Sequence, residues 1–341
     1  LSDHIMNNIQ SLFEPKSIAV IGASTDTKKI GYTVVNNILA SGYKGKVYPV
    51  NPSGGTVLNL PVHKHIADIE GDIDVVCTVI PAPRVFESVR QCAAKGVKYN
   101  LIITSGFSEV GNCEEEKKIT AYALDHDMRI VGPNIFGIYS AAVSLDATFG
   151  PGNILPGNVA IVTQSGALGL AMIGKTKVDN IGLSSIVSVG NKSDIDEADL
   201  LEYLTRQDRT KVIFMYIEGI KNGERFIAAV NQATRHKPVV VIKSGRSARG
   251  AVAAASHTGA LAGADDIVDA ILRQNGVLRA DSIQDGFNLC KFLAGSPLPT
   301  NEHTLIVTNG GGIGVMATDA CERHQINLYD DSETLKDLFS P

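Results

Sequence analysis

The sequence predicts an α/β fold built on parallel sheets. Short, continuously apolar, β-branched runs recur along the 341 residues, with helical patterns between them. Strands that are apolar on both faces and alternate with helices belong to parallel sheets covered on both sides. The pattern also pauses at Gly150-Pro151-Gly152-Asn153 and then restarts, so more than one such assembly is expected.

In the first half, Phe13-Glu14-Pro15-Lys16-Ser17 leads into the strand Ile18–Ile21. Lys46–Val50, Val75–Ile80, Leu101–Thr104 and Arg129–Val131 follow as strands, with helical patterns at Gly31–Ala40 and Val85–Lys95. Each strand runs into small or turn-forming residues: Gly22-Ala23-Ser24, Asn51-Pro52-Ser53-Gly54, Pro81-Ala82-Pro83, Ser105-Gly106 and Gly132-Pro133-Asn134. Ligands of such sheets bind beyond the carboxyl ends of the strands, so this row suits a nucleotide crevice. An NAD site would want GxGxxG and an acidic residue about 20 positions on. Here no glycine follows Gly22 until Gly31, and the acid's place reads Pro49-Val50-Asn51-Pro52, with Lys44 and Lys46 just before it. Lysines there suit a ribose that carries a phosphate, as that of coenzyme A does. NADP stays open on charge grounds, and solvated strand flanks are the structural alternative.

The second half opens with the strand Asn158–Thr163, which runs into Gln164-Ser165-Gly166-Ala167-Leu168-Gly169 and a helix of small apolar residues. A strand, a Ser-Gly turn and a helix start present free N–H groups and a positive dipole end, a site for phosphate; an ordinary capped βα junction is the alternative. After the strand Ser185–Gly190, the acids Asp194, Asp196 and Asp199 lack the glycine and terminal Glu of an EF-hand. They are expected to cap and charge the start of a helix at Leu200–Thr205. The strand Val212–Ile217 ends at Glu218-Gly219, where a carboxylate can hold an imidazole N–H and fix which ring nitrogen attacks, or cap the next helix. The strand Pro238–Ile242 and the loop Lys243–Gly250 lead to His257, set among small residues from Ala253 to Gly263. Small flanks leave an imidazole open to a large charged group, as a nucleophile needs; a packed loop histidine is the plainer alternative. Gly166, Glu218 and His257 are all expected beyond the carboxyl ends of strands in one sheet. A further unit, a strand from Thr304, a glycine-rich turn and a helix Val315–Arg323, precedes the last residue, Pro341. One such unit cannot close a sheet, so it is expected to pack on another surface or belong to a larger domain.

Composition narrows the function classes. A formal net charge of -5, with 44% apolar and 20% charged residues, argues against nucleic acid as a partner. No apolar run approaches the roughly 20 residues of a membrane span. Leu1–Asn8 has no basic region followed by a long apolar one, so no signal peptide is expected, and Leu in place of Met at position 1 suggests trimming. Five scattered cysteines without CxxC read as free thiols in a reducing compartment, the cytoplasm.

Five motifs in order, Phe13–Ser24, Gly132-Pro133-Asn134, Thr163–Leu168, Tyr216–Gly219 and Ser256–Ala260, resemble the α subunit of ADP-forming acyl-CoA synthetases. These are relatives of succinyl-CoA ligase, and acetate–CoA ligase is the nearest type. The resemblance implies a Rossmann-like CoA-binding domain at 1–150, a flavodoxin-like phosphohistidine domain at 151–299 and the start of a third, flavodoxin-like domain at 300–341, incomplete at Pro341. It implies an acid–thiol ligase: acyl-CoA + ADP + phosphate ⇌ acid + CoA + ATP, through an acyl phosphate and a phosphohistidine at His257. Glu218 would orient that histidine, and Ser165, Gly166 and Ala167 would hold the phosphate. Gly22, Ala23, Ser24 and Lys46 would meet the CoA phosphates; Pro49, Val79, Ile80 and Pro81 the adenine; Ser105, Gly106 and Asn134 the pantetheine and thioester. ADP or ATP and Mg²⁺ would sit mainly on an ATP-grasp β subunit in an α2β2 assembly, with no metal held by this chain. Ile135 departs from the family, which commonly has Cys after Gly-Pro-Asn; packing rather than chemistry should change. The rivals are a CoA- or nucleotide-sensing module without catalysis, an NADP-dependent oxidoreductase, and a fragment of a fused lysine acetyltransferase.

Overall fold

The computed structural model describes residues 9–247, 249–250 and 265–340. The chain divides into two compact units, Leu1–Gly295 and Ser296–Pro341. The first unit holds two large sheets and a small two-stranded one. Its chain begins with β1 (Ser17–Ile21) and β2 (Lys46–Val50), followed by a small antiparallel hairpin, β3 (Thr56–Val57) and β4 (Leu60–Pro61). β5 (Val75–Thr78), β6 (Tyr99–Ile102) and β7 (Arg129–Val131) complete a five-stranded sheet in the order β2-β1-β5-β6-β7, parallel throughout. β5 and β6 are buried along their whole length, as strands covered on both faces must be. The covering helices are Ile30–Ala40, Val85–Ala94 and Cys113–Leu124.

The second sheet begins before the pause at Gly150. β8 (Gly137–Ser140) and β9 (Leu145–Thr148) form an antiparallel hairpin, and β8 lies antiparallel on β11 (Leu183–Ser188). β10 (Pro156–Thr163), β11, β12 (Val212–Ile217), β13 (Val239–Lys243) and β14 (Leu278–Arg279) are parallel, giving the order β14-β13-β12-β10-β11-β8-β9. The two parallel sets therefore share one topology. In each, the first strand lies between the second and the third, so the winding reverses between β1 and β5 and again between β10 and β12. Crevices open beyond the carboxyl ends of the strands at such reversals.

Polar side chains join the two sheets. Arg129 Nε donates to both Asp194 oxygens at 3.0 and 2.8 Å, and Asp194 Oδ2 also accepts the Ile130 N–H at 2.8 Å. Asp199 takes Arg225 at 2.6 Å and Arg129 at 3.4 Å. The acidic cluster thus does more than cap. Asp196 and Asp199 do form a capping box, on a helix that starts at Glu197 rather than Leu200, while Asp194 and Asp199 bind arginines. On the other side of the seam, the Asn37 amide in the helix Ile30–Ala40 donates to the carbonyls of Thr148 and Gly150 at 2.9 and 3.0 Å. All five cysteines are unpaired, and burial pushes the Cys77 and Cys92 thiols up to about 12.

In the second unit the expected strand from Thr304 does not form. Thr304 makes an isolated parallel bridge with Leu328, and the helices Gly311–Arg323 and Ser332–Phe339 follow. A strand needs a ladder of main-chain partners, and here only Thr304 finds one, through Asn327 and Tyr329.

Burial works against ionisation of Asp199, but the Arg225 and Arg129 guanidiniums outweigh it and hold the carboxyl below its ordinary range. Asp199→Asn is expected to cost about 3 kcal/mol at neutral pH, the scale of breaking a buried ion pair. Because the folded pKa is depressed, this contribution is present above the ordinary value of about 4 and is lost as pH falls through the folded one. Denaturation midpoints of wild type and variant should differ at pH 7 and converge in acid; equal midpoints at pH 7 would remove the bridge from the fold's energetics.

Candidate active site

The first reversal opens a cleft of about 690 Å³ lined by Gly22 and Ser24 after β1, Asn51 after β2, and Val79, Ile80 and Pro81 after β5. Gly22 adopts φ +94°, and a Cβ there would lie 2.1 Å from the Val79 carbonyl. A Cβ on Gly31 would lie 2.0 Å from the Gly22 carbonyl, so Gly31 is what lets the helix Ile30–Ala40 close onto the β1 turn. The fingerprint glycines are thus absent, and Gly22 and Gly31 permit two close backbone approaches within a wider loop. The Asn51 amide steadies that loop by donating to the Ala23 carbonyl at 2.8 Å.

Of the expected contacts, Gly22, Ser24, Val79, Ile80 and Pro81 line this cleft, while Ala23 is buried beneath it. Pro49 is buried in β2 beside Val20, one residue short of the strand end. Lys46 is not brought there. It is the first residue of β2, about 13 Å from the strand's carboxyl end at a rise near 3.3 Å per residue. With Lys16 and Lys44 it borders a separate depression. The cations at the cleft are Lys29, Lys64 and Arg84, which the sequence reasoning missed. Strand direction was the available signal: a cation that follows a strand faces the crevice, and one that precedes it does not.

Between the sheets, the N–H groups of Gly106 and Phe107 donate to the Glu109 carboxylate. The Asn191 amide bridges Glu109 and Glu116 at 2.6 and 2.8 Å, and its oxygen accepts the Asn134 amide at 3.4 Å. Burial raises the Glu109 pKa, but the Gly106 N–H and the Asn191 amide more than offset it and keep the carboxyl low. Gly106 and Asn134 are therefore brought into one polar seam; Ser105 stands exposed beside it.

At the second reversal, Ser165 caps the helix Gly166–Val178, its Oγ accepting the Leu168 N–H at 3.3 Å. Nothing lies within 4 Å of where a Gly166 Cβ would sit, and Ala167 is exposed. The first N–H groups of a helix have no intrahelical partner, so this open start can receive an anion. Glu218, 8% exposed, stands at the end of the neighbouring β12. Burial raises the Tyr216 phenol, and the nearby Glu218 carboxylate adds to the rise. Lys243, buried at the end of β13, is lowered by burial against the opposing pull of Asp265 and Glu218. Ser165, Gly166 and Glu218 are thus brought together, while His257 lies outside the described residues. Among the described residues, no group of three or more His, Cys, Asp or Glu could hold a metal ion, and no helix is long and apolar enough to cross a membrane.

Family models match both halves: a CoA binding domain over residues 16–141 and a succinyl-CoA ligase like flavodoxin domain over 156–293. The chain is 48% identical to the α subunit of ADP-forming acetate–CoA ligase I of Pyrococcus furiosus, over 96% of its own length and 72% of that protein's. It is 38% identical to the ADP-forming 4-hydroxybutyrate–CoA ligase of Nitrosopumilus maritimus, spanning 96% of this chain and 48% of that protein. In structure it is similar to the dinucleotide-forming acetyl-coenzyme A synthetase 1 of Ca. Korarchaeum cryptofilum, solved with phosphate and ADP. The TM-score is 0.93 at 45% identity, covering 98% of this chain and 74% of that one. With both domain matches and this identity across nearly its whole length, the chain belongs to the ADP-forming acetate–CoA ligase family and matches its α subunit.

Proposed function

We propose that the chain is the α subunit of an ADP-forming acyl-CoA synthetase and catalyses acyl-CoA + ADP + phosphate ⇌ acid + CoA + ATP. The observation that carries this is the open, Ser165-capped helix start beside the buried Glu218, on neighbouring strands of one sheet. Coenzyme A occupies the first cleft, its phosphates facing Lys29, Lys64 and Arg84, and its thioester reaches the seam of Ser105, Gly106 and Asn134. A phosphate oxygen held at Ser165–Ala167 attacks the thioester carbonyl; the C–S bond breaks, and CoA leaves as a thiolate that takes up a proton. A ring nitrogen of His257 then attacks phosphorus, the P–O bond to the acyl group breaks, and the carboxylate departs. Glu218 accepts the other ring N–H and so fixes the attacking nitrogen. A terminal oxygen of ADP finally takes the phosphoryl group as the N–P bond breaks. A covalent carrier divides one difficult transfer into two and lets separate acyl and nucleotide sites share one group. ADP and Mg²⁺ belong to a partner subunit of ATP-grasp type in an α2β2 assembly, and the reaction is placed in the cytoplasm. Acetate is the favoured acid; the relative that bears the name of a hydroxybutyrate ligase makes a panel of short acids the first substrate screen.

Incubation with acetyl-CoA and phosphate should add one acid-labile phosphoryl group, read by intact mass before and after brief acid treatment. His257→Ala should abolish the gain and keep CoA binding. No gain in wild type while CoA still binds would mean a sensor instead.

Arg84→Ala and Lys64→Ala should each weaken CoA binding about 5- to 10-fold, roughly 1 kcal/mol, with a shallower salt dependence. Lys46→Ala should leave affinity unchanged. Calorimetric titration checks both, and a loss confined to Lys46→Ala would move the phosphates to the other end of β2.

A further inference from the structure

The backbone at Glu218 is held by side chains from the segments that follow two other strands of its sheet. Gln164, 7% exposed, follows β10, the strand beside β12 across the reversal. Its Oε1 accepts the main-chain N–H groups of both Glu218 at 2.7 Å and Gly219 at 3.1 Å. Its own N–H donates to the Tyr216 carbonyl at 3.1 Å. From beyond β10, on the same side of β12, comes Lys192, 3% exposed, in the loop after β11. Its ammonium donates to the Gly219 carbonyl at 2.5 Å and to Glu197 at 2.6 Å. The peptide units before and after Glu218 and the one after Gly219 are thus each held by a buried side chain. The carboxyl of Glu218 leaves a backbone that has little freedom to turn.

We infer that Gln164 is a positioning residue for phosphoryl transfer, acting through Glu218. It stands immediately before Ser165, so one residue ties the phosphate-holding helix start to the carboxylate that would orient the histidine. The inference rests on the function proposed above. An amide is the side chain this place requires. It accepts two N–H groups, as an aliphatic chain cannot, and brings no second negative charge next to Glu218, as a carboxylate would.

The test uses the full chain with its nucleotide-binding partner and follows kcat and KM for acetyl-CoA across pH. Gln164→Met keeps the volume and removes the acceptor; kcat should fall about 10- to 100-fold, the scale of a small misplacement at a reacting group, with KM for acetyl-CoA unchanged. Gln164→Glu restores the acceptor and should recover most of the rate at high pH. Its added charge disfavours ionisation of Glu218, so the acid limb of its kcat profile should move upward. A wild-type kcat in Gln164→Met, an unshifted profile in Gln164→Glu, or a matching rise in KM for acetyl-CoA would each overturn the inference. Glu218→Gln separates the two levels. If it loses turnover while Gln164→Met keeps it, only the role of Gln164 fails; if it turns over like wild type, the role proposed for Glu218 fails and takes this inference with it.

Discussion

The reversal of winding is the constraint on which the rest of the molecule depends. In both sheets the first strand lies between the second and the third, so successive helices leave for opposite faces and cannot cover the strand ends between them. Those ends carry main-chain N–H groups that the ladder no longer serves, and buried donors must find acceptors. In the first sheet the Gly22 and Val79 N–H groups are met by the Val50 and Ile21 carbonyls at 2.9 and 2.8 Å, while Gly22 and Gly31 let backbone approach backbone. The second answers with a side chain, Gln164, laid across the gap. Open space for ligands and a need for polar satisfaction thus arise at the same two places.

The seam between the sheets gives the two crevices a common frame. Arg129 starts the last strand of the first sheet, and its acceptors Asp194 and Asp199 lie in and just beyond the loop after β11. Asn191 in that same loop reaches back to Glu109, Glu116 and Asn134. One short segment, residues 191–199, therefore faces the polar ends of both sheets and carries Lys192, which holds the Gly219 carbonyl.

Much of this was legible in the sequence. The parallel strands announced themselves through β-branched runs such as Val75-Val76 and Val239-Val240-Val241, and the small residues after them marked the crevice side. The helix start at Ser165–Gly166 and the acid at Glu218 were found because each directly follows such a run. The pairing of Gln164 with Glu218 was not legible, since 54 residues separate them and only the order of the strands makes them neighbours. Lys46 was misplaced because proximity in sequence to a strand's end says nothing unless the direction of the strand is counted. The strand expected at Thr304 rested on composition alone, and composition supplies no hydrogen-bonding partner.

The hairpin of β8 and β9 has a consequence for anyone who dissects the molecule. It precedes the glycine-proline pause yet covers the edge of β11. A fragment cut at the pause would leave β11 with a bare edge of unpaired amides and carbonyls, the template on which soluble sheets join into aggregates. A fragment beginning before Gly137 keeps its own protective border, so the useful place to divide the two sheets is the turn after β7, not the turn that composition advertises.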